Sequence, residues 1–343
     1  MKTIKYLLMS VTAIIFISCQ NEETLVIQDP TQNLKAISPL TDLISRVSQN
    51  PTSKDNILDN SSCFNVQLPV IVIVNRTHIT VSNQNDYIKV QAALDAFSND
   101  DDIVNFVYPI TIQYQNFKTE LITNPDQLKN VIDNCDDDDG FDEIDCLHIN
   151  YPIKINIYNA DNQIANTITI QNNKDLYNFL KDIESNVFIT INYPVSITNF
   201  KGQNVVITNN SNFESSIEDG IKDCNTNSGS GGNKNFTSIL TNGTWRVSYY
   251  FDDSDETLNY KGYSFTFNSN GTVVVVKEKN TIAGNWSTFV NSSQDIFLLK
   301  FDDSKLDNLE DNWKITEFTT TKVRLKNKNA SDGATDYLYF TKN

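Results

Sequence analysis

The chain is poor in histidine, with two copies, His78 and His148, in 343 residues. Imidazole is the usual proton relay and a common zinc ligand. Two isolated copies in β-patterned segments argue against a His-built metal centre or nucleophile relay. Basic residues are scarce too: 27 Lys and Arg against 43 Asp and Glu, a formal net charge of −16. Phosphate backbones are repelled by such a chain, and no Lys/Arg cluster compensates locally, so general nucleic-acid binding is excluded. The leading apolar stretch, Tyr6 to Ile17, falls short of the ~20 residues a spanning helix needs. Gly-x-Ser-x-Gly, His-Glu-x-x-His, a phosphate loop and a dinucleotide fingerprint are all missing. Acids abound but cluster in turns and linkers, as solvated acids do. The expectation is a non-catalytic protein, with a paired-carboxylate hydrolase as the remaining enzyme alternative. A hydrophobic fraction of 39 % is enough for packed cores, and the length suggests two or three domains.

What is present begins with an address. Lys2 and Lys5 precede the apolar stretch, which ends at Phe16-Ile17-Ser18-Cys19. The pattern is that of a signal peptide over 1–18, and its end resembles the lipobox of bacterial lipoproteins. The resemblance implies diacylation of Cys19 and a membrane-anchored mature chain. Gln20-Asn21-Glu22-Glu23 resembles the surface-export tag of Bacteroidetes lipoproteins, which implies an outer-membrane protein facing outward, with the periplasmic face as the alternative. Cleavage removes two lysines and no acid, so the mature charge is −18. Residues 19–62, with Pro30, Pro39 and Pro51, read as a lipidated N-terminus and a mostly extended tether. A short helix over Leu40–Val47 is the exception.

Four of the eight prolines, Pro69, Pro109, Pro152 and Pro194, lie 40, 43 and 42 residues apart. Each follows Leu or Tyr and precedes Val or Ile, so an internal repeat is expected. The flanks alternate apolar and polar residues, as half-buried strands do, with proline on the polar parity. A second strand then ends near Asn83, Asn124, Asn172 or Asn209, each placed to cap a helix. The helices carry stripes such as Leu128, Val131, Ile132 and Leu176, Phe179, Leu180. The predicted class is α+β. Four strand-strand-helix units in two pairs (63–135 and 146–224) place their helices on one sheet face. The other face, with Thr111, Gln113, Lys154, Asn156, Thr190 and Asn192, is left polar for solvent, a glycan or a protein.

Each pair is bracketed by cysteines. In an oxidising compartment this favours Cys63–Cys135 and Cys146–Cys224, with Cys135–Cys146 as the rival. Between the pairs, 136–145 is an acidic linker. Asp137, Asp139, Asp142 and Asp145 are the candidate ligands for calcium, the one cofactor considered, although the spacing fails the EF-hand template.

Residues 225–235, rich in Asn, Ser and Gly, form a flexible linker. Beyond it, eight short strands at hairpin spacing between Trp245 and Thr341 predict a small all-β antiparallel barrel over 236–343. Gly243-Thr244-Trp245 resembles the Gly-x-Trp opening of lipocalins. Tyr263–Val273 and Gly284-Asn285-Trp286 resemble the lipocalin-like domains of Bacteroidetes lipoproteins. That resemblance implies a late-strand arginine over the tryptophan, for which Arg324 is the candidate. It also implies a small apolar ligand if the barrel is hollow; if filled, Trp245, Trp286, Phe265 and Phe267 are core. The repeat region resembles uncharacterised Bacteroidetes lipoproteins with repeated Tyr-Pro strand motifs, which implies no activity. The expected function is a surface-anchored binding lipoprotein. The alternative is a carrier of an apolar ligand in the barrel.

Overall fold

Asparagine opens each helix that follows a hairpin in the N-terminal body. Two residues past the second hairpin strand, its side chain accepts a hydrogen bond from an otherwise unbonded backbone N–H of the first turn. Asn83 accepts from Asn85 N–H at 3.0 Å, Asn124 from Gln127 at 3.0 Å, Asn172 from Asp175 at 2.9 Å and Asn209 from Asn212 at 2.8 Å. The structure is a computed structural model that describes residues 32–343, except 97–102, 136–142, 160–162, 228–235, 293 and 329–333 and the side chains of 53 and 224–227.

The first pair comprises β1 (Phe64–Val66), β2 (Val70–Val74), β3 (Thr77–Val81), β4 (Val104–Phe106), β5 (Ile110–Tyr114) and β6 (Thr119–Ile122). Helix α3 (Tyr87–Leu94) follows β3 and α4 (Pro125–Asp133) follows β6. The second pair repeats this order. It runs β7 (His148–Ile149), β8 (Ile153–Tyr158), β9 (Ile164–Ile170), α5 (Asn173–Lys181), β10 (Ile189–Ile191), β11 (Val195–Thr198), β12 (Asn204–Ile207) and α6 (Asn210–Asn227). The flank expected as one strand through each proline is therefore two. The peptide bonds before Pro69, Pro109, Pro152 and Pro194 are all cis, and the chain breaks its strand there.

The two halves of each broken strand serve different sheets. β1 pairs with β5 and β4 with β2, while β7 pairs with β11 and β10 with β8. Each unit thus lends its short strand to its neighbour's hairpin, giving three-stranded sheets β1-β5-β6, β3-β2-β4, β10-β8-β9 and β12-β11-β7. First hairpin strands alternate buried residues with half-buried or exposed ones, and second hairpin strands are mostly exposed. Tyr151 and Tyr193, each just before its proline, donate to Asn173 Oδ1 at 2.8 Å and Asn210 Oδ1 at 2.7 Å. The strand break is thereby tied to the first residue of the next helix.

The tether expectation is corrected over 32–62. Leu34 bridges Ile189 on β10, and α1 (Pro39–Val47) buries Leu40, Leu43, Ile44 and Val47 in the second pair's core. The chain then crosses to the first pair. Asn50 N–H bonds the Gln115 carbonyl at 2.9 Å, and α2 (Asn56–Asp59) adds Leu58 to that core. The end of the acidic linker is structural as well. Glu143 accepts from Thr52 N–H at 3.0 Å, from the Thr52 hydroxyl at 2.6 Å and from the Gln115 amide, while Ile144 is buried. The remaining tether, 19–31, lies outside the described residues.

The C-terminal part begins with α7 (Phe236–Leu240), followed by β13 (Trp245–Asp252), β14 (Ser254–Asp255), β15 (Ser264–Phe267) and β16 (Thr272–Lys277). It continues with β17 (Asn280–Asn291), β18 (Gln294–Phe301), β19 (Asn312–Phe318), β20 (Lys322–Lys328) and β21 (Thr335–Lys342). Neighbours in the chain pair antiparallel, and β13 pairs with β21, so eight strands close a barrel with β14 appended at its edge. Closure removes the unpaired edges of the meander. The interior is filled by rings: Phe267 lies 5.8 Å from Phe297 and from Phe340, and 6.2 Å from Trp286. The indole N–H of Trp245 reaches the Leu240 carbonyl at 2.8 Å, and that of Trp313 the Leu309 carbonyl at 2.9 Å. These buried donors are satisfied without a ligand.

Candidate functional site

The most concentrated polar chemistry lies where α1 and α6 meet the outer face of β19, β20 and β21. Helix α6 divides its surface. Phe213 and Ile217 enter the second pair's core, while Glu214 and Glu218 turn toward the barrel. On β20, Val323 and Leu325 point into the barrel and Arg324 and Lys326 point out. Both acids of α6 converge on Lys326, while Arg324 turns to α1 and to Glu317 of β19.

Lys326 Nζ lies 2.7 Å from Glu218 Oε1 and 3.5 Å from Glu214 Oε1, and Lys314 Nζ is 3.3 Å from Glu218 Oε2. Tyr337 donates to Glu214 Oε2 at 2.8 Å. Burial raises the Glu214 pKa, and the Lys326 charge opposes that. Arg324 holds Asp42 of α1 at 2.7 Å and lies over the Tyr339 ring at 5.3 Å. Burial works against its charge, but Asp42, Tyr339 and Glu317 offset it, and its pKa is raised. Arg46 of α1 grips Glu317 with both guanidinium arms, at 2.7 and 2.8 Å.

Four bases thus meet four acids. Glu214, Glu218, Glu317, Arg324 and Lys326 line, with Tyr337, a cleft whose cavity volume is about 10 Å³, room for roughly one water. Its carboxylates are spent on lysines, arginines and a phenol. Chemically the arrangement fastens helices to the barrel. Sequence patterning missed it because Arg324 and Lys326 sit on the polar parity of a strand, which reads as a solvated face. The one available signal was Glu214 and Glu218 flanking the apolar stripe Phe213, Ile217, Ile221.

The residues singled out from sequence are placed as follows. Trp245 is fully buried, and Gly243 before it has φ +99°, a conformation glycine adopts without strain. Arg324 is on the outside of the barrel, so the expected packing of an arginine over Trp245 is corrected: the register of β20 turns its side chain to Asp42. Cys63 and Cys135 are thiols, not the predicted disulfide, yet adjacent, with Cys63 Sγ 3.3 Å from the Cys135 carbonyl oxygen. Cys146 is disulfide-bonded, which overturns the reading of it as partner to Cys135. Its Sγ lies 3.9 Å from the Gly220 carbonyl oxygen on α6, one turn before position 224. The Cys224 side chain lies outside the described residues, as do Cys19, Asp137, Asp139 and Asp142. Asp145 is half-buried, and its charge partly opposes the lowering of the His148 pKa by burial and Lys54. On the polar faces, Lys154 and Asn192 are exposed, Thr111, Gln113 and Asn156 half-buried, and Thr190 buried against Tyr158 and Asn156.

The state of the three cysteines gives an expected result. Alkylation of the denatured, unreduced protein labels Cys63 and Cys135 and leaves Cys146 unlabelled until reduction. Peptide mapping that finds Cys63 joined to Cys135 contradicts this.

Among the described residues no helix is long and apolar enough to cross a membrane. No family model matches the chain, and no curated protein matches it. Among solved structures, the chain is similar to the crystal structure of a DUF4847 family protein from Bacteroides vulgatus ATCC 8482. The identity is 16 %, covering 32 % of this chain and 98 % of that one, with a TM-score of 0.25.

Proposed function

We propose that the protein is a non-catalytic lipoprotein, anchored in the outer membrane through acylated Cys19 and displayed at the cell surface, where its body binds an extracellular protein or glycan. The observation that carries this reading is the leader that ends at Phe16-Ile17-Ser18-Cys19 behind Lys2 and Lys5. Two or three acyl chains give lasting anchorage where one does not. The finer fold assignment belongs to the same proposal: four repeat units in two pairs, followed by a lipocalin-like barrel. The filled interior around Phe267 favours binding by outer surfaces over the carrier alternative. The ion-paired state of the acids at the junction favours a fastening role over a hydrolytic one.

The test is the intact mass of protein extracted from membranes, read beside Cys19→Ala. An N-terminal Cys19 bearing acyl mass, lost in the variant with release of the protein from membranes, is expected. An unlipidated wild-type mass overturns the anchor. Protease treatment of whole cells then reads the face: cleavage without lysis is expected, and protection until lysis places the body inside.

A further inference from the structure

Two carboxylates lie at the first pair's core. Asp55 precedes α2 and Asp59 ends it; they are 2 % and 9 % exposed. Each uses one oxygen. Asp55 Oδ2 accepts from Val66 N–H at 2.6 Å, and Asp59 Oδ1 from Ser61 N–H at 3.1 Å. The other oxygens, Asp55 Oδ1 and Asp59 Oδ2, are buried without a hydrogen-bond partner. Burial pushes Asp55 up to about 6 and Asp59 up to about 8, with the Asp55 charge adding to the second. Among the described residues neither carboxylate is in an ion pair. A buried acceptor left unmade is costly, and a pair of buried like charges more so.

We propose that Asp55 and Asp59 bind a hard divalent cation of the calcium class, each through its unpartnered oxygen. One such ion would answer both unpartnered atoms and the mutual repulsion together. The donors are oxygens, which select calcium-like ions over zinc. Cys63, the nearest thiol in the chain, turns its Sγ to the Cys135 carbonyl instead. Backbone carbonyls and water ordinarily complete the six to eight oxygens calcium takes. The ion would pin α2, with Leu58, against β1, where Asp55 already caps Val66. Tyr87 stands close enough for both charges to act on its phenol, which burial and those charges push up to about 12. It is therefore placed to sensitise a bound lanthanide.

The experiment uses the mature chain and a version with Asp136, Asp137, Asp138, Asp139, Asp142 and Asp145 all changed to Asn, which removes the aspartates of the acidic linker. Melting is recorded at mildly alkaline pH in EDTA and then in excess calcium chloride. Calcium raises the midpoint by several degrees in both chains, as a ligand specific for the folded state must, and Asp59→Asn loses the shift. Terbium chloride, excited through tyrosine, gives emission that Tyr87→Phe diminishes while calcium stabilisation persists. No calcium shift in the mature chain, or one that Asp59→Asn keeps, overturns the site. A shift lost with the linker acids alone moves it to the linker and overturns it equally. Should Asp59→Asn fail to fold, Asp55→Asn takes its place, and absence of tyrosine-sensitised terbium emission in the linker variant is by itself fatal.

Discussion

Arg46→Ala is expected to destabilise the protein by about 3 kcal/mol and to loosen the barrel from the helices behind it. Removing one partner from a buried ion pair typically costs about 3–5 kcal/mol, because the other charge is left unanswered in a poor solvent. The Arg46 side chain is 8 % exposed and that of Glu317 14 %. The low end applies here because Arg324 remains 3.9 Å from the abandoned carboxylate and answers part of its charge. The double change Arg46→Met with Glu317→Leu is expected to recover most of the loss, since two apolar groups of similar length leave nothing unpaired. Denaturant titration of the wild type, Arg46→Met, Glu317→Leu and the double variant gives the coupling directly. A loss under 1 kcal/mol for Arg46→Ala would mean that water reaches the pair and that the junction is an ordinary surface contact.

Local chemistry in this chain was readable because its signals are short. Asn124 followed by Pro125 is a cap followed by a first helical residue, and the structure uses all four asparagines this way. The barrel strands were readable from the period-two alternation of residues such as Phe265, Phe267, Val273 and Val275, all of which point inward. The exchange of short strands was not readable. Phe64–Val66 looks like the start of the strand that resumes at Val70, and nothing in its composition names Ile112–Tyr114 as its partner. Alternation fixes which face a residue takes, and partner choice depends on contacts some fifty residues away.

The junction and the buried acids were hidden for a related reason. Arg46 and Glu317 are 271 positions apart. Asp55 precedes and Asp59 ends a four-residue helix in a proline-bearing stretch that looks solvated. Burial of these groups is imposed by tertiary docking, and an acid that will be buried looks in sequence like one that will not. The N-terminal segment misled in the same way. Leu40, Leu43, Ile44 and Val47 form a helical stripe, but its burial was unforeseeable until α5 and α6 supplied the surface beneath it.

Phe267→Ala is expected to cost about 3–5 kcal/mol and to open an apolar site inside the barrel. The ring is 1 % exposed and contacts Trp286, Phe297 and Phe340 edge-on. A packed layer can sink into a void only if its backbone can move. Here Phe267 is held by its ladder with Val273, and the sheet is closed by β13 on β21, so collapse is resisted and the upper part of that range applies. A cavity lined only by rings and aliphatic groups stays dry and takes up small apolar molecules. Benzene or xenon should therefore raise the midpoint of Phe267→Ala and leave the wild type unmoved. This separates the two readings of the barrel by its own packing. A filled core gains binding when a ring is removed, whereas a carrier already binds and loses selectivity. Stabilisation of the wild type by an apolar probe, or lipid retained through its purification, would mean that the rings part to admit a ligand, and the carrier reading would then replace binding by the outer surfaces.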